Sequence, residues 1–248
     1  MTSGARAGQG RRARTRTTGS RGGARERAVV RALLDEEGET YAAQSGVRLK
    51  DAPQPLYQLL VLAHLLSARI KADIAVDAAR ALFGDGMRNP RRMADATWQQ
   101  RVDALGKGHY RRYDERTATQ LGAGAELLLE KYGGDLRRLR DTALRRSGGR
   151  DGAAVEKELL MEAPGVGPTG AAIFLREVQG VWPEARPSID GKALDGAARL
   201  GLPEAEGRLA ELVAEEDLPR LAAGLVRVAL DKAATERVLE AADARRKT

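Results

Sequence analysis

An all-α fold is predicted by the sequence, on three observations. Apolar residues recur at helical spacing along most of the 248 residues, glycine and proline interrupt this pattern at intervals, and no segment shows sustained strand alternation. Hydrophobic residues make up 42% of the chain, which is enough for a packed core. No apolar run approaches the roughly 20 residues that a membrane-spanning helix requires.

The first element, residues 1–25, is predicted to be a disordered basic tail. Its few apolar side chains cannot offset the entropy lost on ordering. Without its arginines the chain has 35 basic and 35 acidic residues, so the tail holds the whole formal charge of +7. The tail is either an arm that adds salt-sensitive, sequence-independent affinity for DNA, which its density of like charge favours, or a passive solvated extension. Its seven arginines are Arg6, Arg11, Arg12, Arg14, Arg16, Arg21 and Arg25.

Helical patterns begin at residue 26 and continue almost without interruption. Residues 26–38 form an amphipathic pattern that stops at Gly38. Residues 54–70 are apolar nearly all round, which is typical of a central buried helix, and residues 71–84 are amphipathic again. Several shorter helical patterns follow. Two or three more helices are expected at the carboxy-terminal end, after residue 202.

The stretch MEAPGVGPTGAA, residues 161–172, breaks the helical pattern with two glycines and two prolines. Gly165 and Gly167 permit backbone angles that other residues avoid, and they leave no side chain over the corner. Pro168 suits the first turn of the next helix, because its missing N–H would be unpaired there. The exposed amides at a helix amino end form an anion site that suits a phosphate. An ordinary corner between two helices has the same composition, so the turn alone leaves both interpretations open.

An aspartate follows the hairpin at a defined point. Asp190 lies after a proline-containing loop and opens the predicted helix 191–201. Aspartate is a favoured N-cap, so this position also has a structural explanation, and a capping role is compatible with a catalytic one.

The order of these features resembles the helix-hairpin-helix DNA glycosylases of the endonuclease III superfamily. The motifs that carry the resemblance are PGVG between two helices, the aspartate that opens the following helix, the long apolar helix ending in LLSAR, and the helix that begins at YDERTA. The resemblance extends over about residues 55–202. It implies two helical subdomains around a cleft. One would comprise residues 26–54 with 203–248, and the other residues 55–202, including the hairpin 155–179 and the aspartate loop.

The resemblance also implies base excision. The hairpin residues Gly165, Val166, Gly167 and Thr169 would bind the DNA backbone, and a damaged or mismatched base would be flipped into the cleft. Asp190 matches the catalytic aspartate of the family. A carboxylate at this place stabilises the oxocarbenium-like sugar and activates the incoming nucleophile.

Three departures from the family pattern sharpen the prediction. Bifunctional members have a lysine nucleophile where this chain has Thr169, so we expect hydrolysis by water without a strand-cutting lyase step. The absence of cysteine excludes the iron–sulfur cluster of many members, and we expect neither a cofactor nor a metal. Arg69 stands where the family often has a glutamine that fills the gap left by the flipped base. It is either a wedge or phosphate contact, or a solvated arginine at a helix end.

A second basic segment, KGHYRRY, contributes possible DNA contacts through Lys107, His109, Arg111 and Arg112. Its tyrosines can stack on a base, although a solvated basic helix start is the simpler interpretation. His64 lies on the apolar helix and is interpreted as a hydrogen-bonded histidine of the core or cleft.

The sequence therefore predicts a monofunctional DNA glycosylase of base excision repair. We expect it to be a cytoplasmic, nucleoid-associated monomer that acts on double-stranded DNA with damaged or mismatched bases and does not bind membranes. Two other functions stay open: a non-catalytic DNA-binding relative that kept the hairpin, and a helical protein-interaction module.

Overall fold

The computed structural model describes residues 16–148 and 150–247. Helices, turns and loops account for all of these residues, without a strand, so the all-α prediction is confirmed. Each helix in these two ranges is too short or too polar to span a lipid bilayer. The α-helices of the described residues are α1 (Arg16–Glu37), α2 (Tyr41–Gln44), α3 (Pro53–Leu66), α4 (Ala72–Gly84), α5 (Pro90–Asp95), α6 (Trp98–Lys107), α7 (Asp114–Tyr132), α8 (Leu136–Ser147), α9 (Gly152–Leu160), α10 (Pro168–Val178), α11 (Gly191–Arg199), α12 (Glu206–Ala210), α13 (Leu218–Leu230) and α14 (Lys232–Lys247). Two 3₁₀ turns lie at Pro183–Ala185 and Glu215–Asp217.

Helix α3 lies at the centre of the first part of the chain. Ten of its 14 residues are buried, as the apolar pattern predicts. It packs against α4 and against α10, which is the second helix of the hairpin. The position of the hairpin is therefore set by the most buried helix of this region.

The two ends of the described chain meet. Helix α1 packs against both α13 and α14. Helix α13 also packs against α10 and α11, so it contacts helices from both of the predicted subdomains. The division of the chain into these two subdomains stays a prediction.

Helix α1 begins earlier than the sequence pattern predicts. It starts at Arg16, so residues 16–25, which were predicted to belong to the disordered tail, are helical. At the end of this extension, Nη1 of Arg25 donates a hydrogen bond to the carbonyl oxygen of Gly201 at 3.3 Å. No local pattern predicts such a contact. The other tail residues, 1–15, lie outside the described residues.

Helices α11 and α13 approach each other closely at Gly196. A Cβ atom at this position would lie 1.9 Å from the carbonyl oxygen of Leu225 on α13. Ala193 and Ala197, the other buried residues of α11, also have small side chains. Small side chains thus hold α11, the helix that Asp190 opens, directly against α13.

Gly196→Ala should therefore lower the free energy of unfolding by about 3 kcal/mol, because the new methyl group forces the two helices apart. Urea denaturation followed by circular dichroism measures this change. The matched control is Gly191→Ala, on the same helix, where no atom lies within 4 Å of the added Cβ. The control should be neutral or slightly stabilising. Equal effects of the two substitutions would contradict the close contact.

Candidate functional site

The turn between α9 and α10 is a tight corner with a glycine at each side of one apolar residue. Gly165 has a φ of +84°, a left-handed conformation that glycine adopts without strain. The amide of Val166 donates to the carbonyl of Ala163 at 3.0 Å, and the valine side chain is buried. Gly167 is extended and forms the N-cap of α10, with Pro168 in the first turn of the helix. Helices α9 and α10 are the two helices of the predicted hairpin.

This corner presents unpaired backbone amides. No hydrogen bond within the described chain uses the N–H groups of Gly165, Gly167, Thr169 and Gly170. Thr169 is exposed in the first turn of α10. Free amides at a helix amino terminus, together with the helix dipole, form a site that attracts a phosphate. The binding roles of these residues stay predictions.

Gly165 rests directly on two side chains from distant parts of the chain. A Cβ atom there would lie 2.5 Å from the imidazole ring of His64 and 2.7 Å from Oε1 of Gln120. His64 Nε2 and Gln120 Oε1 are 3.2 Å apart, within hydrogen-bonding distance. Burial lowers the pKa of His64 to about 4, so its ring is neutral near pH 7. His64 is thus a hydrogen-bonded histidine beneath the hairpin.

A cavity of about 270 Å³, which we call the hairpin cavity, opens beside Gly165. Its walls come from three separate stretches, which are residues 64–69, residues 110–120 and Gly165 itself. The structure therefore brings together Arg69, part of the basic KGHYRRY segment and the hairpin. No aspartate or glutamate lines this cavity.

Arg69 lies in the loop between α3 and α4, at the border of two cavities. The second cavity has a volume of about 860 Å³ and is also lined by Tyr41, at the start of α2, and Arg227, on α13. The side chain of Arg69 is exposed and forms no ion pair with a described residue. This position is compatible with either a wedge or a phosphate contact, and both roles stay predictions.

The basic KGHYRRY segment is only partly available for DNA. Lys107 Nζ lies 2.7 Å from an oxygen of Asp85, so this cation already has a partner. His109 is exposed and has a φ of +62°, and Arg111 and Arg112 are also exposed. Lys107 is also exposed, and it differs from the other three in that its charge is already shared with Asp85.

Two residues of the hairpin cavity were not predicted to be site residues, although one of them, Arg116, lies within the YDERTA motif. Arg116 and Gln120 lie on α7 and follow Tyr113 at the spacing of one and two helical turns. A search for polar residues at i+3 and i+7 from the predicted stacking tyrosine would have found them. Their relation to the hairpin depends on tertiary packing, which the sequence does not show.

Asp190 is both the N-cap of α11 and one half of an ion pair. Its Oδ1 accepts a hydrogen bond from the amide of Ala193 at 3.0 Å. Its Oδ2 lies 2.6 Å from Nη1 of Arg176, and the aspartate side chain is 21% exposed. Asp190 therefore caps α11, as its position in the sequence suggested. Its catalytic role stays a prediction.

Arg176 belongs to the site although no sequence motif indicates it. Its side chain is 3% exposed, and its Nε has no hydrogen-bond partner. Its guanidinium carbon lies 6.0 Å from the centre of the Tyr41 ring, which lines the larger cavity. Arg176 lies among the buried residues of α10, and the sequence pattern does not mark it as a site residue. Its contacts with Asp190 and Tyr41 place it in the site.

Helix α10 links the two halves of the site. The hairpin amides lie at its amino end, and Arg176, which holds Asp190, lies eight residues after Pro168. At 1.5 Å per residue this separation is about 12 Å along the helix axis. A phosphate on the hairpin and a group beside Asp190 would thus lie a short, fixed distance apart.

Metal ligands are not grouped in the part of the chain that the structure describes. Within residues 16–148 and 150–247, no three His, Asp or Glu side chains are placed to hold an ion. The sequence has no cysteine to ligate an iron–sulfur cluster.

The chain is similar in structure to two solved complexes of endonuclease III with DNA. One is a trapped covalent intermediate described as an estranged-adenine complex, at 19% sequence identity and a TM-score of 0.45. The other is a non-covalent complex, at 20% identity and a TM-score of 0.45. Both alignments cover 80% of this chain and 83% of the other chain. No family model and no curated protein sequence matches the chain.

Proposed function

We propose that the protein is a DNA glycosylase that hydrolyses the N-glycosidic bond of a flipped damaged or mismatched base. The observation that carries this proposal is the linkage of two functional groups by one helix. The free amides of the hairpin begin α10, and Arg176 near its end holds Asp190. An anion-binding corner and a carboxylate at a short, fixed separation suit a reaction at a sugar in the DNA backbone.

The hairpin would hold the phosphate backbone of the DNA. Its amides donate hydrogen bonds without reading sequence, as expected of a protein that must search undamaged DNA. The exposed cations Arg69 and Arg116, which line the same cavity as Gly165, add electrostatic attraction. Residues 1–15 contribute further arginines to this attraction in the proposed arm.

Asp190 would stabilise the positive charge that develops on the sugar and orient the attacking water. Its two hydrogen bonds leave part of its accepting capacity free, since a carboxylate has about four lone-pair positions. The pairing with Arg176 holds the carboxylate in one orientation. The same pairing offsets part of its negative charge, which weakens its attraction for a cationic sugar.

This last point favours a second candidate function, a non-catalytic DNA-binding protein. Both oxygens of Asp190 are engaged within the protein, as expected of a purely structural aspartate. Both functions use the hairpin to bind DNA, and they differ in whether the protein releases a base from it. A panel of duplexes that carry uracil, alkylated purines, oxidised bases or mismatches separates them, because only the glycosylase releases a base.

Asp190→Asn should reduce base release at least about 100-fold, because the carboxylate charge is lost. Asparagine can still cap α11, but Arg176 is left without its counter-charge, and breaking a buried pair costs about 3–5 kcal/mol. The companion variant Asp190→Asn/Arg176→Met removes both charges and should recover much of that stability. Single-turnover base release and DNA affinity are measured on all variants.

Asp195→Asn is the matched control, since Asp195 is an exposed aspartate on the same helix. It should leave both base release and DNA affinity unchanged. Retention of base release in the folded double variant would exclude Asp190 as the catalytic carboxylate. Binding without release of any base by the wild-type protein would instead support the second function.

The wild-type protein should form no borohydride-trapped adduct with abasic-site DNA, because Thr169 has no amine. The nearby Lys192 is paired with Asp195 at 2.7 Å. Thr169→Lys places an amine at an exposed position in the first turn of α10 and should create a trapped adduct. Gel electrophoresis of the reduced complexes measures both outcomes. A strong adduct with the wild-type protein would overturn the proposed hydrolytic mechanism.

A further inference from the structure

Glu156, on the first helix of the hairpin, has a carboxyl group that is buried without a donor. The residue is 0% exposed, and no hydrogen-bond donor of the described chain serves either carboxyl oxygen. Among the described buried carboxyl groups, it alone has two such oxygens. An ionised carboxylate in this position would have lost its hydration and gained no partner, which is strongly destabilising. The surroundings therefore favour the neutral acid.

The group that faces Glu156 is a second carboxyl group. Glu184, in the 3₁₀ turn Pro183–Ala185, lies within hydrogen-bonding reach of it. Two ionised carboxylates offer only acceptors and repel each other, whereas one proton between them makes a hydrogen bond. Burial, together with the charge of Glu184, raises the pKa of Glu156 to about 8. A shared proton thus satisfies both groups near pH 7.

The neighbouring cation, Arg140 on α8, pairs with Glu184 and leaves Glu156 without a counter-charge of its own. It donates to both oxygens of Glu184, from Nε and, at 2.8 Å, from Nη2. Burial opposes the ionisation of Glu184, but the hydrogen bonds from Arg140 lower its pKa. Helix α9 also packs against α10, whose described charges do not act on Glu156. The proton therefore resides on Glu156.

This pair of carboxyl groups joins the hairpin to the loop that leads to Asp190. Glu156 lies on α9, the first hairpin helix, and Glu184 lies six residues before Asp190. Trp182 belongs to the same junction, because the Arg140 guanidinium carbon lies 5.4 Å from its ring centre. A change in the charge of the pair therefore acts on α9 and on the aspartate loop together.

We propose that Glu156 and Glu184 share one proton, and that its release to solvent at alkaline pH loosens the first hairpin helix from the turn before Asp190. Release leaves two adjacent carboxylates with one arginine between them, and one of the two is buried without a donor. The folded protein holds this proton at pH values where an ordinary glutamate, with a pKa near 4.5, has lost it. Stability should therefore fall as the pH rises from about 4.5 to about 8, with a slope of about one proton.

Infrared spectroscopy tests the shared proton. Near pH 7 the wild-type protein should show the C=O stretching band of a protonated carboxyl group, which carboxylates lack, and raising the pH through about 8 should remove it. Glu156→Gln keeps the size of the neutral acid and should remove the band. Glu158→Gln is the matched control, because Glu158 is exposed on the same helix, and it should keep the band. Comparison with these variants assigns the band, since Glu177 is also a buried carboxyl group.

The fluorescence of Trp182 tests whether the junction loosens. Trp182 is 0% exposed, and Trp98→Phe makes it the only tryptophan of the chain. Its emission should shift to longer wavelength as the pH rises through about 8, because water then reaches the ring. Glu156→Gln in the same background should abolish the shift. Urea denaturation at several pH values should show that this variant also loses the slope of about one proton.

Each contrary result removes a stated part of the proposal. Absence of the acid band in the wild-type protein near pH 7, or a band unchanged in Glu156→Gln, would overturn the shared proton. A band that titrates while the Trp182 emission stays constant would overturn the loosening of the junction. The wild-type titrations need no substitution at Glu156, so they decide both points even where Glu156→Gln does not fold. All measurements use the protein without DNA, so their failure leaves the proposed glycosylase function standing.

Discussion

The ion pair between Arg176 and Asp190 is the interaction on which the arrangement of the site depends. It joins α10, the second hairpin helix, to α11, and α11 is in turn held against α13 by the close contact at Gly196. The next residue, Glu177, strengthens the same junction, because its carboxylate accepts hydrogen bonds from the amides of Tyr41 and Ala42 at the start of α2. One turn of α10 therefore fixes the hairpin, the aspartate and the terminal helices relative to one another.

This arrangement places a conflict on Asp190. Capping α11 and pairing with Arg176 engage both oxygens, whereas the proposed catalytic role requires that the carboxylate also face charge on the substrate. The conflict is reduced if the reacting sugar approaches the part of the side chain that remains exposed. The carboxylate would then act without leaving its protein partners, and its fixed orientation would lower the cost of reaching the transition state.

The sequence predicts local features of the site well and long-range ones poorly. The glycine turn, the cap at Asp190 and the buried helix α3 follow from residue types and spacing within a few positions. Arg176 and Gln120 escape prediction because their roles arise from partners 14 and 56 residues away. Lys107 illustrates the opposite case, since a basic motif predicts a free cation and the fold pairs it with Asp85. Arg25, in the predicted tail, likewise bonds to Gly201, 176 residues away in the sequence.

The central claim is that α10 sets the distance between a phosphate held by the hairpin and the sugar that faces Asp190. A crystal structure of the wild-type protein with a duplex carrying a tetrahydrofuran abasic analogue tests it most directly. We expect a phosphate oxygen within hydrogen-bonding distance of the Gly165 or Gly167 amide and the abasic sugar beside Asp190. The two would lie within a few nucleotides of each other, since Pro168 and Arg176 are about 12 Å apart along α10. A complex in which the hairpin faces away from the DNA, or in which the abasic sugar lies far from Asp190, would contradict it.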